Sequence, residues 1–96
     1  MEIIHLDKEN FNELIQDKIL VDFYANWCGP CKMLSPVLEK VNSEVKVVKV
    51  DVDNFEDLAR KYGVMSIPTI ILFDKGQEVK RNIGFIDKER LEKFLD

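Results

Sequence analysis

Apolar residues recur along the chain at two spacings, one typical of helices and the other typical of strands. Four segments place apolar residues three and four positions apart, as on one face of an amphipathic helix. Their apolar members are Phe11, Leu14 and Ile15; Leu34, Val37, Leu38 and Val41; Phe55, Leu58, Ala59 and Tyr62; and Leu91, Phe94 and Leu95. We expect Asp7, Asn54 and Asp87 to act as N-caps, and Gly63 to end the third helix.

Runs of apolar and β-branched residues with the length of strands lie between and beside these helical segments. They cover residues 2–6, 19–25, 45–52 and 69–73. The central runs are almost continuously apolar, as expected of strands covered on both faces. Residues 74–77 are typical of a turn that leads into a more polar edge strand at 78–83. The resulting order β-α-β-α-β-α-β-β-α indicates an α/β fold with a partly parallel sheet and a terminal hairpin, whose spatial strand order stays open.

Composition and charge narrow the class of protein. The chain has 96 residues, of which 46% are hydrophobic and 33% are charged, so we expect one globular domain over residues 1–96. A net charge of −4 disfavours a nucleic-acid or anionic-membrane binder, which needs clustered Lys and Arg. No apolar run approaches the roughly 18 residues of a membrane span, and residues 1–10 lack the apolar block of a signal peptide. We therefore expect a soluble, cytoplasmic and monomeric protein with no membrane or nucleic-acid partner.

The two cysteines are the most informative residues of the chain. Cys28 and Cys31 are separated by Gly29 and Pro30, where a predicted strand leads into a predicted helix. Residues three apart lie on one side of a helical turn, so both sulfurs can reach disulfide geometry. The helix start favours the thiolate form of an exposed Cys28, whereas Cys31 lies one turn inside and is expected to be shielded. We predict that Cys28 attacks a substrate disulfide and that Cys31 resolves the mixed disulfide.

The cysteine pair has three alternatives to redox chemistry. Buried cysteines can serve as small hydrophobic residues. A zinc site needs four ligands, and the chain offers only Cys28, Cys31 and His5 unless a partner chain supplies more. A Cys–His hydrolase needs a general base with an orienting group, and His5 on the first strand is expected to be structural or exposed. Because the spacing, the helix start and the preceding strand coincide, we predict redox chemistry and no metal site.

Two charged residues interrupt apolar strands. If Asp22 is buried, desolvation raises its pKa toward neutrality, which suits a proton acceptor for Cys31; the alternative is an Asp exposed at the strand end. A lysine beside it would offset part of the cost of the buried charge, and Lys49 lies mid-strand. The alternative for Lys49 is a surface lysine, which describes Lys46 better.

Residues 21–32, with the sequence Val-Asp-Phe-Tyr-Ala-Asn-Trp-Cys-Gly-Pro-Cys-Lys, closely resemble the active-site segment of the thioredoxin family. The similarity continues through residues 33–38, 49–53, 62–64 and 67–69 to Gly84 and the last helix. It implies the thioredoxin fold, a five-stranded mixed sheet of order 1-3-2-4-5 flanked by four helices. It also implies a protein disulfide reductase with no bound cofactor. A separate reductase, NADPH- and flavin-dependent or ferredoxin-linked, would recharge its disulfide.

The same resemblance implies roles for particular residues. It makes Asp22 the proton acceptor and Lys49 its partner. It also makes the Ile67–Pro68 bond cis, facing the cysteines, so that the backbone of Ile67 can pair with an extended substrate. Without the resemblance, the alternative is an ordinary proline at the start of a strand.

We further expect a substrate-binding surface around the cysteines. Trp27 would contribute an exposed aromatic ring, although it could instead pack beneath its loop. Gly29 lets another chain approach closely, and Pro30 suits the first turn of a helix. The expected members are Trp27, Gly29, Pro30, Met65, Ile67, Pro68 and Gly84.

The chain departs from the usual pattern of the family at the rim of this surface. Tyr24 stands where many thioredoxins have Trp, and Met65 and Ser66 stand where others have a basic residue and Gly. These departures affect the choice of partner rather than the chemistry. The uncharged Gly-Pro pair between the cysteines resembles reducing members of the family more than oxidising ones. A partner-binding module with incidental redox chemistry, and an oxidase or isomerase, are the alternative functions.

Overall fold

The computed structural model describes residues 1–7 and 10–96, and strands and helices alternate along it as the sequence pattern predicts. Within these residues the strands are β1 (Ile3–His5), β2 (Ile19–Tyr24), β3 (Lys46–Asp51), β4 (Thr69–Asp74) and β5 (Gln77–Ile83). The helices are α1 (Phe11–Leu14), α2 (Gly29–Lys40), α3 (Glu56–Lys61) and α4 (Lys88–Phe94). The predicted element order is confirmed, although α1 is only four residues long.

The strands form one mixed sheet in the order β1-β3-β2-β4-β5, which confirms the order that the resemblance implied. Strand β3 runs parallel to both β1 and β2, whereas β4 is antiparallel to β2 and to β5. Strand β2 therefore lies at the centre of the sheet. Its residue Asp22 stands opposite Lys49 on β3 and opposite Ile70 on β4.

Two apolar clusters cover the faces of the sheet. Leu20 on β2 packs with Leu34 and Leu38 of α2 and with Leu91 of α4. The neighbouring β2 residue, Val21, belongs to the cluster on the opposite face, as expected from the alternation of side chains along a strand. Asp22 therefore shares the face of Leu20, beneath α2.

Two of the predicted N-caps are wrong. Asn10, not Asp7, holds the N-cap position of α1, and Phe55, not Asn54, holds that of α3. A turn delays the start of α3, because the carbonyl of Asp51 accepts the N–H groups of both Asn54 and Phe55. Neither N-cap makes a side-chain capping hydrogen bond. Phe55 is not a capping residue type, whereas Asn10 is one, so only the start of α1 had a signal in the sequence.

The other predicted helix signals are confirmed. Oδ1 of Asp87 accepts the N–H of Arg90 at 2.8 Å and caps α4. Gly63 has a φ of +65° just after α3. The N–H of Val64 donates to the carbonyl of Ala59, and that of Gly63 donates to the carbonyl of Arg60, which is the Schellman pattern.

The predicted hairpin also forms. Lys75 and Gly76 both adopt positive φ values, 54° and 83°, as a two-residue turn of the type I′ class requires. Strand β5 is largely exposed and lies at the sheet edge, as its polar sequence predicted. In the described part of the chain, none of the helices has the length and apolar character needed to cross a membrane.

Candidate active site

A disulfide between Cys28 and Cys31 lies at the start of α2, just beyond the end of β2. The two Cα atoms are 5.2 Å apart, which is ordinary disulfide geometry for residues on one helical turn. Cys28 is the N-cap of the helix, and its Sγ accepts the backbone N–H of Cys31 at 3.2 Å. Pro30 occupies the first turn, where its missing N–H costs nothing. A thiolate on Cys28 would therefore face the free N–H groups of the helix.

Both sulfurs are shielded in this oxidised form. Cys28 is 5% exposed and Cys31 is 2% exposed, so the expectation of an exposed Cys28 is wrong. Tyr24, Val52 and Ile67 pack against the pair and cover it. The inequality of the two cysteines therefore comes from their positions on the helix rather than from a large difference in exposure.

The loop before β4 lies against the disulfide. The Ile67–Pro68 peptide bond is cis, as the resemblance implied. The carbonyl oxygen of Ile67 lies 3.8 Å from Sγ of Cys28. The N–H of Gly84 donates to the carbonyl of Pro68 at 2.7 Å, which joins the end of β5 to the same loop. The fold thus brings Cys28, Ile67, Pro68 and Gly84 together from separate parts of the chain.

Trp27 lies on the surface beside the disulfide and does not pack beneath its loop. It is 69% exposed, and its Nε1 donates to Oδ2 of Asp53 at 2.9 Å. Met65 is 96% exposed. The sequence pattern did not single out Asp53, because only the fold brings it to the indole.

Asp22 is fully buried, as its place on a central strand predicted. Neither carboxylate oxygen has a hydrogen-bond partner among the residues that the structure describes. Nζ of Lys49 lies 3.7 Å from Oδ2, so the predicted pairing exists as an ion pair without a hydrogen bond. Burial raises the pKa of Asp22 from 3.8 to about 6, and Lys49 offsets part of that rise. A carboxyl group with this pKa can take up and release a proton near neutral pH.

Lys49 has two further neighbours that the sequence pattern did not identify. Its Nζ donates to Oγ of Ser35 at 2.6 Å and lies 4.5 Å from the centre of the Tyr24 ring. Ser35 in turn donates to the carbonyl of Cys31 at 3.4 Å. Because Ser35 lies four residues after Cys31 on a predicted helix, its position on the same helical face was a usable signal. A cavity of about 190 Å³ borders Cys31, Ser35 and Lys49.

The described residues contain no cluster of side chains that could bind a metal ion. Within residues 1–7 and 10–96, no three His, Cys, Asp or Glu side chains gather into a group that could hold a metal ion. His5 lies on the outer strand β1, and Cys28 and Cys31 are bonded to each other.

Comparison with known proteins gives consistent matches over almost the whole chain. The thioredoxin family model matches residues 2–96. A thioredoxin from Bacillus subtilis is 43% identical, with an alignment that covers 100% of this chain and 97% of the relative. A thioredoxin from Chlamydia caviae is 50% identical over 92% of this chain and 90% of the relative.

Solved structures agree with these sequence matches. A mutant thioredoxin from Halobacterium salinarum superposes with a TM-score of 0.92 at 36% identity, covering 98% of this chain and 88% of that chain. A chain from a study of thiol resolution in a yeast mitochondrial 1-Cys peroxiredoxin superposes with a TM-score of 0.86 at 39% identity, covering 97% and 92%.

These matches also define the chemistry. Thioredoxins are thiol–disulfide oxidoreductases that carry no bound cofactor and use a Cys-x-x-Cys disulfide as the redox group. Their partners are proteins that contain disulfides and a reductase that recharges the pair. This chain belongs to the thioredoxin family and is a protein disulfide reductase that acts through Cys28 and Cys31.

Proposed function

We propose that this chain acts as a monomeric, single-domain electron carrier over residues 1–96, which passes two electrons from a cytoplasmic reductase to protein disulfides. One observation carries this proposal: the Cys28–Cys31 disulfide lies at a helix start, directly beside the Ile67–Pro68 loop. The redox group and a backbone segment able to receive a substrate strand are therefore adjacent.

In the first step, the thiolate of Cys28 attacks one sulfur of a substrate disulfide. A bond forms between Cys28 and that sulfur, and the other substrate sulfur leaves as a thiolate that takes a proton. The helix start supports this step, because the Cys31 N–H already donates to Sγ of Cys28.

In the second step, Cys31 gives its proton to Asp22 and attacks Sγ of Cys28. The remaining substrate sulfur leaves and is protonated, so the substrate becomes a dithiol and the Cys28–Cys31 disulfide forms. Asp22 suits this role because its pKa of about 6 allows it to accept a proton at neutral pH and release it again. The nearby Lys49 ammonium would offset part of the free-energy cost of burying the ionised Asp22 carboxylate.

Substrate binding is assigned to the surface around the disulfide. The carbonyl of Ile67, held by the cis bond to Pro68, would pair with an extended client segment. Gly29 and Gly84 have open space above them, which allows a client backbone to approach. Trp27 and Met65 would supply exposed apolar contacts. Pro30 completes this surface at the first turn of α2.

The recharging partner is proposed to be a flavin-containing reductase that uses NADPH. The uncharged Gly29–Pro30 pair supports a reducing rather than an oxidising role, since added positive charge there would make the disulfide more oxidising. A ferredoxin-linked reductase is the alternative, and purified reductases of the two kinds distinguish them directly. We propose no nucleic-acid or membrane partner, in keeping with the net charge of −4.

Reduction of insulin disulfides in the presence of NADPH and thioredoxin reductase tests the proposal. We expect turnover with the parent protein, loss of turnover with Cys28→Ser, and a trapped mixed disulfide with Cys31→Ser. If Cys28→Ser retained the parent rate, the assigned nucleophile would be wrong.

The exposed Trp27 and Met65 also fit a partner-binding module whose redox chemistry is incidental. A double variant, Cys28→Ser with Cys31→Ser, separates the two functions. A pure binding module would support its partner's activity with this variant, whereas a disulfide reductase would not.

A further inference from the structure

Ser35 links the backbone of the resolving cysteine to the only cation found beside Asp22 in the described residues. Its hydroxyl accepts a hydrogen bond from Nζ of Lys49 at 2.6 Å and donates to the carbonyl of Cys31 at 3.4 Å. A serine hydroxyl has one donor and can accept as well, so both contacts can exist together. A helical serine commonly donates to the carbonyl four residues earlier, and this bond aims the hydroxyl oxygen at Lys49.

The ammonium of Lys49 is thus closer to Ser35 than to Asp22. Its Nζ lies 3.7 Å from Oδ2 of Asp22, beyond the roughly 2.7–2.9 Å of a charge-assisted hydrogen bond. Its other close neighbour is the Tyr24 ring, 4.5 Å from Nζ to the ring centre. Asp22 consequently has a positive charge nearby and no donor bonded to it.

We propose that Ser35 is a positioning residue for the resolving step: its hydroxyl holds the Lys49 ammonium off Asp22, and so keeps the buried carboxylate free of a hydrogen bond. This proposal rests on the role proposed above for Asp22 as the proton acceptor of Cys31. A carboxylate that already accepts a short hydrogen bond from an ammonium is a weaker base than one that does not. Ser35 would therefore maintain the basicity that the resolving step needs.

A cavity of about 190 Å³ lies beside Ser35 and Lys49. It is lined by residues of α2, β1, β2 and β3, including Ser35 and Lys49 themselves. Its other charged or titratable members are His5, Tyr24 and Lys32. In the oxidised protein Cys31 does not titrate, so the titration of the Asp22 carboxyl is not coupled to that of a neighbouring thiol.

The test follows the titration of the Asp22 carboxyl carbon by NMR in the oxidised protein. The variants are Ser35→Ala, Ser35→Thr, Lys49→Met and the double variant Ser35→Ala with Lys49→Met. Alanine has the highest helix propensity, so the Ser35→Ala protein should fold. Threonine keeps the hydroxyl and serves as the matched control.

In Ser35→Ala, Lys49 should close onto Asp22, and the titration midpoint of Asp22 should fall by about one pH unit, as one charged hydrogen bond would cause. Ser35→Thr should keep the parent midpoint. In the Lys49→Met background, removal of the hydroxyl should leave the midpoint of Asp22 where Lys49→Met alone puts it. An unchanged or raised midpoint in Ser35→Ala would overturn the proposal, as would an equal shift without Lys49.

A kinetic measurement keeps this proposal separate from the role of Asp22. Release of product from a preformed mixed disulfide on Cys28 should slow in Ser35→Ala and recover in Ser35→Thr. If the midpoint moves but the resolving rate does not, Ser35 positions Lys49 while Asp22 is not the proton acceptor. If Asp22→Asn slows resolution but Ser35→Ala leaves the midpoint unchanged, the role of Asp22 stands and that of Ser35 fails.

Discussion

Lys49 lies beside Asp22 across the centre of the sheet, with Nζ 3.7 Å from Oδ2, yet the carboxylate accepts no hydrogen bond from any described residue. The register of β2 and β3 places the two residues opposite each other on the face covered by α2. An ion pair of this kind repays only part of the desolvation cost of a buried carboxylate. The protein therefore has a destabilising buried carboxylate beneath α2, the helix that carries Cys31.

The first prediction concerns stability and pH. Because the folded protein holds the pKa of Asp22 at about 6, above its ordinary 3.8, the folded state binds a proton more tightly than the unfolded state. The destabilisation is then absent below pH 4, grows as the pH rises, and is complete above pH 6, where it reaches about 3 kcal/mol. Asp22→Asn should be more stable than the parent by about that amount at pH 8. Urea unfolding of both oxidised proteins from pH 4 to pH 8 measures the difference.

The control is the pH dependence of the difference in unfolding free energy between Asp22→Asn and the parent. It should shrink between pH 6 and pH 4, because the parent Asp22 becomes neutral there. An Asp22→Asn protein that is less stable than the parent at pH 8 would contradict the burial argument.

The second prediction separates the two chemical steps. Asp22→Asn should slow the release of product from a mixed disulfide by about 10²-fold, the lower end of the range for loss of a general base. Initial attack by Cys28 should keep its rate, because Cys28 needs no proton acceptor once it is a thiolate. Rapid-mixing kinetics with a chromogenic disulfide resolve both steps, and equal slowing of the two would assign Asp22 another role.

The third prediction concerns the inequality of the thiols. In the reduced protein, Cys28 should react with iodoacetamide at a pH where an ordinary thiol is mostly protonated. Its sulfur accepts a hydrogen bond from the Cys31 N–H at the helix start, which stabilises the thiolate. Cys31 should react much more slowly. Mass spectrometry after brief alkylation at several pH values locates the label. Equal labelling of both cysteines would remove the basis for assigning them different roles.

The fourth prediction tests the client surface. Met65 is 96% exposed, so Met65→Asp should change the free energy of unfolding by less than about 0.5 kcal/mol. It should raise KM for a protein disulfide several-fold while leaving the reduction of a small aromatic disulfide unchanged. Val79→Asp is the control, since Val79 is 57% exposed but lies near the opposite end of β5 from Gly84. An equal effect of both substitutions would indicate non-specific charge repulsion.

The fifth prediction separates backbone conformation from available space. A Cβ at Gly63 would meet nothing within 4 Å, yet its φ of +65° disfavours any side chain. Gly63→Ala should destabilise the protein by about 1 kcal/mol. Gly29→Ala, which has the same open space without the positive φ, should not destabilise it. Thermal unfolding of the two oxidised variants gives the comparison, and similar losses in both would refute the conformational explanation.

Much of the fold follows from local regularities that the sequence displays openly. The apolar spacing of Leu34, Val37 and Leu38 predicted α2, and the turn at Lys75 and Gly76 predicted the hairpin. The N-cap of α3 was not recognised because Phe55 is not a residue type that caps helices, whereas Asn10 at α1 is such a type and was missed in favour of Asp7. The turn around Asp51 that delays α3 depends on backbone hydrogen bonds, which residue types do not specify.

The alternation of strands and helices, the position of Cys28 and Cys31 at a helix start, and an acid within a buried strand were all predictable from the order of residues. These features depend on residues close together along the chain, whose spacing is read directly. Three features depend on the packing of the whole chain and were not predictable: the burial of Cys28, the approach of the Ile67 carbonyl to its sulfur, and the contacts of Lys49 with both Asp22 and Ser35. Those relationships join residues from different strands and helices, and they exist only once sheet register and packing bring the segments together.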